Sequence, residues 1–175
     1  MSDARASQHR VDRLIRELIH TGRPATATEV AQIIDRMATA PFDQRQVPVP
    51  TRMRGLQYRQ TTLGAQADAL TYHLIKRVVG ERQWAEGTTA AEYVADLRRA
   101  VRASGTRLAV YERRGGHVVV TLTATYLAAP AARRTRDSLA DLLIVYSADS
   151  GIIRSGYQLS NLQHTGVPAE ARWLR

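Results

Sequence analysis

The sequence predicts an α+β fold: a helical hairpin over residues 1–40, an extended linker over 41–55, and a domain over 56–175. In that domain two helices pack on a mostly antiparallel sheet of four to five strands. Three observations predict it. Apolar residues recur at helical spacing before residue 105, whereas alternation and β-branched runs dominate after it. Residues 142–158 then join a continuous apolar run to an Asp-Ser-Gly turn and a returning strand, the pattern of a hairpin. Helices that precede strands along a chain, rather than alternating with them, point to an α+β layering.

The first helix is set by Val11, Leu14, Ile15 and Leu18 at i, i+3, i+4 and i+7, and Gly22 can end it in the left-handed conformation. Thr26 to Glu29 form a capping box for the second, whose apolar stripe is Val30, Ile33, Ile34 and Met37. A helix-turn-helix would have this outline, yet no base-reading polar set marks the second helix, which favours a plain hairpin. Pro41, Pro48, Pro50 and Gly55 make the linker, because proline on either side of Val49 holds the backbone away from helix. A short strand over 56–60 and a helix over 65–79 come next. Thr89 to Glu92 form another capping box, Tyr93, Val94, Leu97 and Val101 face the core, and Gly105 closes that helix. Strands follow over 107–113 and 117–127 about a Gly115-Gly116 turn, then an arginine-rich loop at 133–136 and the final hairpin. Within that hairpin, Leu142 to Tyr146 is expected to be interior, because consecutive apolar residues leave no face for water.

Composition narrows the function. The 175 residues suffice for a self-supporting core, no cysteine is present, and the five histidines lack metal-ligand spacing, so neither metal nor cofactor is expected. No run approaches a signal peptide or a membrane span, which reads as a cytoplasmic protein with no membrane partner. A net charge of +9 makes RNA or another nucleic acid the leading partner class. All but one of the 25 basic residues, Lys76, are arginine, whose planar fork suits phosphate, although GC-rich codon usage alone would give the same ratio. The hairpin over residues 9–38 is a candidate surface for a protein partner or a homodimer.

Four places carry candidate chemistry. On the helix over 65–79, a turn of about 100° per residue puts Leu70, Leu74, Val78 and Ile75 on one arc and Tyr72, His73, Lys76 and Arg77 on the other, which is expected to be exposed. Cations beside His73 would hold it in the neutral form that can accept a proton. In the hairpin at 111–117, a Gly115-Gly116 turn would set Arg114 opposite His117 and Glu112 opposite Val119, gathering an acid, a cation and an imidazole. Along the last strand, Arg154 and Tyr157 can hold a phosphate or stack on a base. Arg133, Arg134 and Arg136, with Arg77, Arg113 and Arg114, complete a set of candidate phosphate contacts.

The string Tyr72-His73-Leu-Ile-Lys76-Arg77 on a helix, a second helix, and a sheet closing with Ile153-Arg-Ser-Gly-Tyr157 resemble the barnase/EndoU/colicin/RelE-like (BECR) nuclease superfamily over about residues 56–158. The resemblance implies a metal-independent ribonuclease, with His73, Lys76, Arg154, Tyr157 and His117 as catalytic candidates. Val78 stands where that group usually has a second histidine, and Ser155 where it has threonine. Two hypotheses follow: an RNA-cleaving protein of toxin or mobile-element effector type, and a non-catalytic module that binds nucleic acid or protein through the same basic surface.

Overall fold

The computed structural model describes residues 2–124, 141–159 and 166–175. The helices are α1 (Ser2–Thr21), α2 (Ala27–Thr39), α3 (Ala69–Ile75) and α4 (Ala90–Arg102). Short strands β1 (Gln46–Pro48), β2 (Gln57–Tyr58), β3 (Thr61–Thr62) and β4 (Gln66–Asp68) fill the first half. The main sheet holds β5 (Arg107–Arg113), β6 (Gly116–Ala124), β7 (Asp141–Ser147), β8 (Ile152–Leu159) and β9 (Arg172–Trp173). The chain is α+β, and the sheet is antiparallel throughout, in the order β8-β7-β6-β5-β9. The loop carrying Arg133, Arg134 and Arg136 lies outside the described residues. Among those described, no helix is long and apolar enough to cross a membrane.

The helix starts follow their caps. Thr26 accepts from the Glu29 amide while the Glu29 side chain accepts from the Thr26 amide, and Thr89 and Glu92 repeat the exchange at α4. Ile15, Leu18, Ile33 and Met37 from the first two helices join Leu97, Val101, Leu142, Ile144, Tyr146 and Ile153 in one apolar core on one face of the sheet. The opposite face is also covered: Leu143, Tyr111, Val120 and Leu159 pack with Val167 and Ala171 of the C-terminal segment. Burial on both faces is why β7 is apolar at successive positions. Ile144 is fully buried and Val145 half-buried.

Three local expectations need correction. The helix predicted over 65–79 begins only at Ala69, because Gln66–Asp68 pair with β1 and Asp68 caps the helix through the Thr71 amide. It also ends early as α-helix: Lys76–Gly80 form a π-helical turn, in which the Glu81 amide donates to the Lys76 carbonyl at 2.8 Å. The β5–β6 turn is formed by Arg114 and Gly115, both at positive φ, rather than by the two glycines. Glu112 therefore pairs with His117, and Arg114 stands in the turn instead of opposite it. The turn explains the register: Arg114 and Gly115 take φ of 50° and 72°, the successive positive values of a two-residue hairpin turn, while Asp149 and Ala148 bond the His117 backbone from the β7–β8 side. The alternative register keeps every side chain on the same face, so packing alone does not choose between them.

Candidate functional site

The edge strand β8 and the segment from α3 into the π turn build the site. β8 is placed by its ladder with β7 and by α4, where Gly156 meets Leu97 so closely that an added Cβ would overlap it, and where Tyr93 donates to the Gly156 carbonyl at 2.7 Å. A β-bulge between Val145 and Tyr146 shifts the register and turns Arg154 outward. Across this edge the His73 Nδ1 lies 3.4 Å from the Ser155 hydroxyl, which also accepts from Arg77 Nη2 at 3.4 Å. The Arg77 guanidinium sits over the Tyr157 ring, 4.7 Å from its centroid.

The predicted exposed face of His73, Lys76 and Arg77 is instead largely closed, which is a third correction of the helix. Arg77 is only 4 % exposed, and His73 is enclosed by Phe42, Tyr72 and Ser155, with ring centroids 5.8 and 5.1 Å from the two aromatics. The reason is the sheet edge, which covers that side of the helix just as the core covers the other. Glu81, which the sequence reading passed over, ion-pairs with Arg77 and lies 3.6 Å from Lys76. Its place four residues after Arg77 was the available signal. Ser155 is part of the polar end of the last strand, and its position between Arg154 and Tyr157 is the signal for it.

These neighbours set the protonation states. Burial first, then the Arg77 and Lys76 cations, push His73 from its ordinary value down to about 3, so the imidazole is neutral at neutral pH. Burial, with Arg77 next, also lowers Lys76, against the pull of Glu81. Burial raises Tyr157, which keeps its hydroxyl protonated. The Tyr157 ring, rather than its hydroxyl, faces the cluster: a Cβ on Gly166 would lie 3.0 Å from that hydroxyl on the far side of the sheet.

The other candidates lie elsewhere. His117 Nδ1 is 2.8 Å from Asp149 Oδ1, at the turn end of the sheet, and His117 makes none of the contacts of the His73 cluster. Arg154 lines a cleft of about 490 Å³ together with Arg113, Arg114, Val118, Val145 and Asp149. All three arginines are exposed, and none forms an ion pair among the described residues. The structure thus brings His73, Lys76, Arg77 and Tyr157 together at one edge and gathers Arg113, Arg114 and Arg154 at another place. Among the described residues no group of His, Asp and Glu is arranged to hold a metal.

Comparison of the chain with protein-family models, with curated proteins and with solved structures gives no match.

Proposed function

We propose that the protein is a metal-independent ribonuclease-like protein, of toxin or mobile-element effector type, acting on RNA at the β8 edge. The meeting of His73 and Arg77 with Ser155 and Tyr157 carries this reading. Two short segments some 80 residues apart in sequence supply the chemically apt groups, and those groups touch.

In metal-independent RNA cleavage the 2′-oxygen bonds to phosphorus as the bond from phosphorus to the 5′-oxygen breaks. A base takes the 2′-hydroxyl proton and an acid returns one to the leaving oxygen. His73 is the base, held neutral in the free protein. A pKa near 3 makes it a weak one, but Arg77 and Lys76 cause part of the depression. A bound phosphate offsets both cations, so substrate itself moves His73 toward the range where proton transfer is efficient. Lys76, already lowered by burial, returns the proton. Arg77, seated on the Tyr157 ring, stabilises the charge on the phosphorane once phosphate displaces Glu81.

Cleavage of mixed RNA in excess chelator tests this, with each variant's fold checked by circular dichroism. His73→Ala should lower the rate by about 10²-fold or more while RNA affinity stays within a few fold, because a neutral imidazole contributes little to holding phosphate. Lys76→Ala should weaken both. Equal rates for wild type and His73→Ala would remove this site from the chemistry.

A second reading, a non-catalytic module for nucleic acid, is favoured by the cleft of Arg113, Arg114 and Arg154, whose cations form no ion pair among the described residues and lie apart from His73. Wild-type protein that binds RNA with a steep salt dependence but cleaves no RNA would select it.

A further inference from the structure

Every non-glycine residue with positive φ among the described residues is an arginine: Arg59, Arg82 and Arg114. The left-handed region strains any side chain with a Cβ, and glycine or asparagine would occupy it more easily. Such strain collects at functional sites. Arg114 lines the cleft already described. Arg59 and Arg82 both line a different and larger one, of about 710 Å³, within the size range of small-molecule sites.

The walls of that cleft are fixed. Tyr58 donates to the Thr88 carbonyl at 2.7 Å, and Arg59 Nη2 donates to the Gly87 carbonyl at 2.6 Å, tying the β2–β3 turn to the segment before α4. These bonds account for Arg59. The left-handed backbone at Arg82 closes the π turn, after which the Gln83 and Trp84 amides both donate to the Arg77 carbonyl, but the Arg82 side chain is exposed and forms no ion pair among the described residues. Val78 and Val79 supply an apolar surface, while Gln57 and Glu86 offer an amide and a carboxylate. Val78 follows Arg77 directly, so the π turn that carries the cationic side of the proposed active site also supplies part of this cleft.

We propose that the cleft seats a nucleotide of single-stranded RNA next to the one being cleaved, with Arg82 on its phosphate and its base against Val78 and Val79. This rests on the reading of the chain as an RNA-acting protein. A cation fits the phosphate, an apolar surface fits a base face, and an amide with a carboxylate fits a base edge.

The test uses the full chain and a fully 2′-O-methylated RNA hexamer, which cannot be cleaved through its 2′-oxygens, with affinity read by fluorescence anisotropy at several salt concentrations. Arg82→Gly relieves the backbone, so its melting temperature should equal or exceed that of wild type. Its affinity should nevertheless fall about tenfold, with the salt slope reduced by about one phosphate contact. Arg82→Asn, which tolerates the same backbone without the charge, should behave alike. Unchanged affinity in both variants, or no binding by wild type at low salt, overturns the proposal. Polyphosphate that binds as tightly as the hexamer, with the same dependence on Arg82, overturns the nucleotide assignment. A protein that loses no RNA cleavage in His73→Ala but still binds the hexamer through Arg82 would sink the catalytic reading alone.

Discussion

Arg77 and Arg154 stand on either side of the same edge strand and live in opposite environments. Arg77 is enclosed, stacked on Tyr157 and neutralised by Glu81, whereas Arg154 projects with Arg113 and Arg114 into an open cleft where none of the three forms an ion pair among the described residues. An enclosed cation is tied to folding and to the protonation of its neighbours. An exposed one costs the fold little and is free to hold a ligand. Sequence position therefore says less about what an arginine does here than the carboxylate beside it.

The largest expected effect lies on the enclosed side. Arg77→Ala strips Glu81 of its partner and empties the space over Tyr157, and should lower stability by about 2–3 kcal/mol, less than the 3–5 typical of a fully buried pair because Glu81 is partly exposed. Urea unfolding measures it. A loss below about 0.5 kcal/mol would mean that Arg77 is no more tied to the fold than a surface residue.

The next effect is a pH dependence. His73 has a folded pKa of about 3 against an ordinary 6.5, so below the ordinary value the unfolded chain binds a proton that the folded chain refuses. Stability from this group is present above pH 6.5 and is lost as pH falls, with a slope of up to about 1.4 kcal/mol per unit for one proton. Between pH 6.5 and about pH 5, above most carboxylate titrations, His73→Gln should flatten the stability curve by up to that slope. Parallel curves for the two proteins would show that His73 protonates as freely as a surface histidine. An NMR titration sharpens the point, since added phosphate should raise the His73 midpoint.

The smallest effect on the fold, though not on binding, is expected at the open cleft. Arg113→Ala with Arg154→Ala should leave stability within about 0.5 kcal/mol. The same pair should reduce the slope of log affinity against log salt for RNA by about two phosphate contacts. If the double variant binds like wild type, the cleft is not a phosphate surface and the two arginine environments differ in burial alone.

The helices with capping boxes and the final hairpin were legible because local chemistry decides them: a threonine and a glutamate three apart, or a turn between apolar runs. The start of α3 was not, since its first predicted residues, Gln66–Asp68, are captured by pairing with β1, a contact that periodicity does not contain. The gathering of His73 and Arg77 was legible, as an i, i+4 pair. Their enclosure was not, because the strand that covers them lies about 80 residues further along. Arg82 and Arg59 escaped notice for a different reason: backbone strain is a property of conformation, and an arginine in a left-handed turn looks in sequence like any other arginine.

Tyr146 donates its hydroxyl to Asp12, 134 residues away, in a buried network where Arg36 pairs with the same carboxylate and donates to the Gly151 carbonyl. At about 5–20 residues per second, a ribosome makes Asp12 roughly 10 s before Tyr146. Through that interval the first two helices carry an ion pair whose remaining partners do not yet exist, and His73 has no Ser155 to face. The core and the cluster at the sheet edge thus wait on the same hairpin, so any activity of the β8 edge can begin only after β8 has been synthesised.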